Sequence, residues 1–269
     1  MDQTETTPTQ QTYHGYLCLS SLLSSQQLFS KSHDEMLFIV QHQTSELWMK
    51  LLIHELQYAR ECIKSQKLNV TNKILARVSR IFELLNQSWG VLRTLTPSEY
   101  TKFRDILGNS SGFHSFQYRL IEYMLGNRDV GLLEFHKSIE LDYETLAAEL
   151  RQPSLYDCAI DVLYSTVEKG EDSGPLPQLT QPRKPDKDVQ DRWKIVYEES
   201  DNYWELYELA EKLVDLEDYF RRWRFNHVTT VERVIGYKKG TGGSSGVPFL
   251  RKRLDIVLFP ELWNLRGDL

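Results

Sequence analysis

An all-α helical bundle is the fold this sequence predicts, and three observations predict it. Long segments repeat apolar residues at three- and four-residue spacing, helix-start signals precede several of them, and the period-two alternation of strands is hard to find. With 269 residues and 41% hydrophobic content, the chain can bury a substantial core as one domain over residues 13–269, behind a polar and disordered tail over 1–12.

Taken in order, the first strong helix opens at Ser32, where S-H-D-E has the spacing of a capping box, and runs to about Ser65. Its apolar face is expected to pass through Leu37, Val40, Leu47, Leu51 and Leu52. A second long helix spans about 71–92. Thr96, Pro97, Ser98 and Glu99 form another capping box with proline at the first helical position, so a short helix should follow and stop at Gly108. Further helices are expected over 113–125, stopped by Gly126, and over about 129–150 and 154–169. The stretch 170–188 holds four prolines and reads as a loop. From 189 to 235 the pattern is helical again, broken once near Asn202 or Asp215. No internal repeat is present.

The charge balance narrows the partners. The 38 acidic against 32 basic residues give a net charge of −6 with no basic concentration, so nucleic-acid binding has no electrostatic support. Three widely spaced cysteines, Cys18, Cys62 and Cys158, suit neither a disulfide framework nor a thiolate metal site and fit a reducing compartment. The start lacks the apolar region of a signal peptide, and no later run is long enough to span a membrane, so a soluble cytoplasmic protein is expected.

One loop carries a chemical signal. GYKKGTGGSSGVPFL (236–250) resembles a phosphate cradle, but both standard patterns fail in it. The dinucleotide pattern wants glycine where Ser245 stands, and the Walker pattern wants a lysine after Gly243, where Ser244 stands. What remains is a backbone rich in N–H and hydroxyl donors, with Thr241 and Ser244 as polar handles, able to close over a small anionic group at 236–248. A plain surface connection would look the same.

Because all-α bundles often hold a metal or cofactor between helices, the seven histidines matter most. His54 and Glu55 are followed by Tyr58 where a zinc protease needs histidine, no histidine has glutamate three residues earlier as a di-iron bundle requires, and Cys-x-x-Cys-His is absent. A non-covalent b-type haem on a single histidine leaves no spacing signature and stays open. His227 shares a helical face with Trp223, Val231 and Val234; a core histidine satisfied by a carbonyl is the plainer reading of that placement. His42 follows Phe38 by one turn inside the polar run QHQTSE, which is costly on a buried helix unless something polar meets it. Tyr100 and Arg104 pair at i, i+4, as an ordinary surface pair also would.

Four blocks then carry a resemblance: HDEMLFIVQHQTSELWMKLLIHEL, LTPSEYTKFRDILGNSSGF, WRFNHVTTVERVIGYKKGTGGSSGVPFLRKRL and FPELWNLR. Together they resemble the successive signature blocks of the tryptophan 2,3-dioxygenase family, of the bacterial type, over nearly the whole chain from about Tyr13. The resemblance implies a haem b enzyme held in a helical bundle, which adds both atoms of O₂ across the indole C2–C3 bond of L-tryptophan to give N-formyl-L-kynurenine. It makes His227 the iron ligand in place of a core histidine, and His42 the distal group that hydrogen-bonds the indole N–H. Phe38 would pack on the indole, Tyr100, Leu107 and Ser111 would line the pocket, Arg104 would pair with the substrate carboxylate, and Thr241 would meet its amino-acid end. A homotetramer is implied, in which Tyr13, Tyr16 and Leu17 of TYHGYL complete a neighbouring subunit's pocket.

The chain departs from the family in one place. Where the family usually reads Ser-Gly-Phe-Gln, this sequence has Ser111, Gly112, Phe113 and His114, which leaves a substituted tryptophan open as the substrate of a related mono- or dioxygenase.

Overall fold

Two helices of about thirty residues and one of twenty-five set the frame, and the buried positions along them explain why they pair. The computed structural model describes residues 12–168 and 184–269. Its α-helices are α1 (Tyr13–Tyr16), α2 (Leu19–Leu23), α3 (Glu35–Lys64), α4 (Leu68–Leu92), α5 (Pro97–Arg104), α6 (Phe116–Met124), α7 (Glu140–Glu149), α8 (Leu155–Thr166), α9 (Lys187–Glu198), α10 (Trp204–Val234), α11 (Val247–Lys252) and α12 (Pro260–Asn264). Short 3₁₀ turns lie at Asp105–Leu107, Gly112–His114, Val130–His136 and Leu265–Gly267, and no strand occurs among the described residues.

On α4 the residues Thr71, Leu75, Val78, Phe82 and Leu85 are buried at alternating spacings of four and three, the signature of a helix seated in a bundle. Helix α10 repeats the pattern through Leu206, Ala210, Leu213, Glu217 and Phe220. These faces and that of α3 share one core with α6, α8 and α9. Each fully buried leucine there stabilises the fold by about 1.5–3 kcal/mol, so Leu75→Ala would cost about 2–5 kcal/mol once the cavity is counted. Glu217 is the charged exception and is satisfied: its carboxylate accepts from the backbone N–H of Leu258 (2.7 Å) and Phe259 (2.9 Å) and from Trp263 Nε1 (2.8 Å). That contact fastens the C-terminal segment and α12 to the middle of α10.

Several expectations are corrected. The S-H-D-E run is no capping box: Asp34 precedes the helix without a side-chain cap, and Glu35 turns back to accept from the N–H groups of Phe29 (2.9 Å) and Ser30 (2.7 Å). Val40 and Leu47 are 43% and 50% exposed, because the buried stripe of α3 runs instead through Met49, Leu52, Leu56 and Ile63. The segment 129–150 is a 3₁₀ turn and a separate helix, divided at the extended Ile139 (φ −122°). The 113–125 helix likewise begins only at Phe116, where Ser115 caps it by accepting from the Tyr118 N–H (3.1 Å).

The break expected near Asn202 is present, since α9 ends at Glu198 and α10 starts at Trp204, while Asp215 lies unbroken within α10. Lys187 and Asp188, expected in the proline-rich loop, are the first turn of α9, capped by Asp186. Residues 184–186 carry no helix, as expected of that loop, while 170–183 of it and residues 1–11 of the tail lie outside the described residues. The capping box at Thr96 and Glu99 is formed in both directions, and Gly126 ends α6 with φ +104°. No helix among the described residues is long and apolar enough to cross a membrane.

A smaller cluster of Leu92, Leu95, Tyr100, Phe103 and Val234, with Leu37, Phe38, Trp89 and Leu107 packed against it, gathers the N-terminal end of α3, the C-terminal ends of α4 and α10, and α5. The candidate site opens beside it.

Candidate active site

The polar run on α3 is costly only if unmet, and every half-buried member of it is met. Gln41 donates to Ser88 Oγ (2.9 Å), Gln43 accepts from Gln26 (2.6 Å), and Glu46 accepts from Ser115 Oγ (2.7 Å) and Gln117 Nε2 (2.8 Å). His42 Nδ1 lies 2.7 Å from the Phe38 carbonyl oxygen. A carbonyl only accepts, so Nδ1 carries the proton and Nε2 is left with a bare lone pair. Burial pushes the His42 pKa down from its ordinary value, against the opposing effects of the Phe38 carbonyl and the Glu46 charge. The imidazole is therefore a neutral hydrogen-bond acceptor, its ring centroid 4.1 Å from that of Phe38 and tilted 38° to it.

Helix α10 supplies the second histidine. His227 stacks on Trp89 (centroids 5.1 Å apart, planes 18° apart) and lies 5.4 Å from Trp223. Burial, and secondarily the charge His42 would carry, push its pKa down to about 4. It too is neutral at physiological pH, the form in which imidazole binds a metal. One turn on, Arg93 wraps the helix by donating to Thr230 Oγ1 (2.9 Å) and Asn226 Oδ1 (3.2 Å), which fixes this stretch of α10 against the end of α4.

Both histidines line one cavity of about 1250 Å³, counting its open mouth, together with Phe38, Trp89, Tyr100, Tyr118 and Trp223. Its far wall is charged. Arg119 and Arg224, both buried, share a single carboxylate, that of Glu122, which also accepts from Tyr118 (3.2 Å) and Asn127 (3.1 Å). The Nε atoms of both arginines are buried without a partner. Two guanidiniums against one carboxylate leave this wall with an unbalanced positive charge facing the cavity, which is unfavourable unless an anion arrives. A flat group with acid side arms fits these features: aromatic walls for its faces, a neutral imidazole for its metal and arginines for its carboxylates. Haem b is such a group. No cluster of three or more histidine, cysteine, aspartate or glutamate side chains able to hold a metal ion exists among the described residues, so a metal here would depend on single-residue ligation.

The glycine-rich segment closes one side. Thr241 Oγ1 donates to the Ser110 carbonyl (2.6 Å), and Arg104 donates to the Lys239 carbonyl (2.9 Å). Gly246 has φ +71°, and a Cβ there would sit 2.6 Å from the Lys238 carbonyl oxygen, so both conformation and space demand glycine. Gly242 presses on the 3₁₀ turn, where a Cβ would lie 2.7 Å from Ser111 Cβ and 2.9 Å from His114 Cε1.

Of the residues singled out from sequence, Phe38, His42, Tyr100, Ser111, Thr241 and His227 line the cavity together. Arg104 and Leu107 stand behind it: the first ties the loop to α5, and the second packs in the small apolar cluster. Tyr13 and Tyr16, 77% and 68% exposed, and Leu17 lie on or beside the short α1 and do not line this chain's own cavity. Sequence reasoning missed Trp89, Tyr118 and the Arg119, Glu122 and Arg224 group. Arg224 precedes His227 by three residues and so shares its helical face, a usable signal; the i, i+3 pair of Arg119 and Glu122 reads as an ordinary surface pair until the fold buries it.

Comparison with known proteins now bears on this arrangement. A family model described as tryptophan 2,3-dioxygenase matches residues 2–168 and 187–269. The chain belongs to the tryptophan 2,3-dioxygenase family. Proteins of that name from Ruegeria sp. (strain TM1040), Bradyrhizobium sp. (strain BTAi1 / ATCC BAA-1182) and Ralstonia pickettii (strain 12J) are similar to it at 59%, 57% and 52% identity. In each case the match covers 96% of this chain and 92% of the relative. Family membership extends over both long helices that carry the histidines and over the glycine-rich segment.

Proposed function

We propose that this chain is a haem-dependent dioxygenase that opens the indole C2–C3 bond of L-tryptophan with O₂, giving N-formyl-L-kynurenine at the head of the kynurenine pathway. The single observation that carries the reading is the pairing, in one aromatic cavity, of two neutral histidines from different helices with a wall of two arginines that share one carboxylate. His227 would hold the iron, and Arg119 and Arg224 would face the acid arms of the cofactor. Haem, when bound, supplies the redox chemistry that makes O₂ reactive toward the indole ring.

The chain's own residues do the rest. His42 Nε2 accepts the indole N–H and fixes the ring's orientation. It does not remove that proton, because an indole is far less acidic than imidazolium. Phe38 packs on the indole face. Arg104 is a planar fork suited to a carboxylate; it stands behind the cavity with a donor on the Lys239 carbonyl, and would exchange that bond for the substrate carboxylate as the loop moves. Thr241 exchanges its bond to the Ser110 carbonyl for one to the amino-acid end, and the glycine-rich segment then excludes water. In the homotetramer, Tyr13, Tyr16 and Leu17 would reach a neighbouring subunit's pocket; their exposure in the single chain supports that role.

His114 against Gly242 favours a second reading, in which the seat of the loop accommodates a substituted tryptophan. Turnover of L-tryptophan beside ring-substituted analogues separates the two. The test of the main reading is His227→Ala in the purified protein: most haem should be lost or the Soret band altered, and full haem content with an unchanged spectrum would overturn the ligand assignment.

A further inference from the structure

We infer that Glu46 is a positioning residue for the reaction: it sets the turn on which the glycine-rich segment seats relative to His42. Glu46 follows His42 by one turn on α3, so its place is fixed by the same stretch of helix. Its Oε1 accepts from Ser115 Oγ (2.7 Å), its Oε2 accepts from Gln117 Nε2 (2.8 Å), and its backbone carbonyl accepts from the same Gln117 amide (2.7 Å). Three hydrogen bonds thus converge on the junction between the 3₁₀ turn Gly112–His114 and α6.

That junction carries more than its own fold. Ser115 closes the turn by donating its N–H to the Gly112 carbonyl (3.1 Å), and its hydroxyl oxygen caps α6. The turn before it supplies Ser111, Gly112 and Phe113 to the cavity wall. It also forms the seat of the loop, through the Ser110 carbonyl under Thr241 and through Ser111 and His114 under Gly242. A shift of a few tenths of an ångström at Ser115 therefore moves the loop seat against a distal histidine that does not move with it. Glu46 has no ion-pair partner among the described residues, so its carboxylate is held by these neutral donors alone. Both oxygens are used as acceptors, a demand that an amide with its single oxygen cannot meet.

This inference rests on the reading that the chain turns over tryptophan, and the tests keep the two apart. In the haem-loaded protein, Glu46→Ala should raise KM for tryptophan by about 10- to 100-fold, the loss of two bonds to a charged acceptor, with kcat changed by less than about threefold. Backbone amides of residues 238–246 should exchange hydrogen faster than in the parent protein, with haem content and Soret band unchanged. Glu46→Gln should fall between the two proteins. Gln117→Leu removes two of the three bonds from the other side and should shift KM the same way, non-additively with Glu46→Ala; it decides the matter if Glu46→Ala does not fold. Unchanged KM and unchanged exchange in these variants would overturn the inference, as would kcat, KM and haem content all failing together, which marks a general structural role. If the parent protein lacks turnover, the reaction reading fails, and the exchange rates of the loop still decide what Glu46 does.

Discussion

Replacing Gly242 with alanine puts one methyl group where the structure has no room for it. The added carbon would lie 2.7 Å from Ser111 Cβ, 2.9 Å from His114 Cε1 and 3.1 Å from Ser111 Oγ. Ordinary carbon–carbon contacts begin near 3.5 Å, so the loop must lift by most of an ångström or the turn must yield. The His114 ring can rotate away, but Ser111 Cβ is fixed to a backbone whose carbonyl accepts from the His114 N–H (2.9 Å). Overpacking of this kind costs about 1–3 kcal/mol, which corresponds to roughly 5- to 150-fold weaker binding of a substrate that needs the loop closed. Two neighbours calibrate the effect. A methyl group at Gly240 would meet mainly the Ser244 hydroxyl, which can turn away, and one at Gly243 meets nothing but forces φ +82° on a side-chain residue. The assay is steady-state turnover of L-tryptophan with haem content measured in parallel. Gly242→Ala should raise KM more than Gly240→Ala while retaining haem. Equal KM in Gly242→Ala and the parent protein would refute the claim that this contact is the seat of the closed loop.

Other consequences follow from the same geometry. Arg104→Ala should lower kcat/KM for tryptophan by about 2–5 kcal/mol, or roughly 1.5 to 3.5 decades, and should affect tryptamine far less, since tryptamine has no carboxylate; equal losses for both would make Arg104 a tie for Lys239 alone. The acid limb of kcat/KM should lie below the ordinary histidine pKa of about 6.5, because a lowered His42 pKa keeps the ring neutral to lower pH and activity is lost only as pH falls through it; a midpoint above 6.5 would contradict the burial argument. Deletion of residues 1–17 should leave haem bound but raise KM for tryptophan, and an unchanged KM would remove the N-terminal segment from the neighbouring pocket.

The sequence disclosed the long helices and the short capped one because their signals are local. Apolar spacing marks α3, α4 and α10, and Thr96 with Glu99 closes a box that needs no tertiary partner. Where a boundary depended on tertiary contacts it was misplaced. Glu35 has a capping spacing but is drawn back to Phe29 and Ser30, and Val40 and Leu47 have core chemistry on a face that the single chain leaves open. The site divided in the same way. His42 was visible as a polar residue in an apolar helix, and the glycines as an unusual loop, but His227 could not be told from a core histidine by its neighbours alone. Arg119, Glu122 and Arg224 become a site only when α6 and α10 bring them together, a juxtaposition no sequence spacing encodes.

The most direct test of the central claim is single-turnover oxidation of L-tryptophan under ¹⁸O₂ by the haem-loaded, reduced protein, with the product mass measured. The cavity, its two neutral histidines and the carboxylate-directed loop predict N-formyl-kynurenine carrying two labelled oxygen atoms. A product with one labelled atom would contradict the dioxygenase account and point to a hydroxylating enzyme built on the same walls.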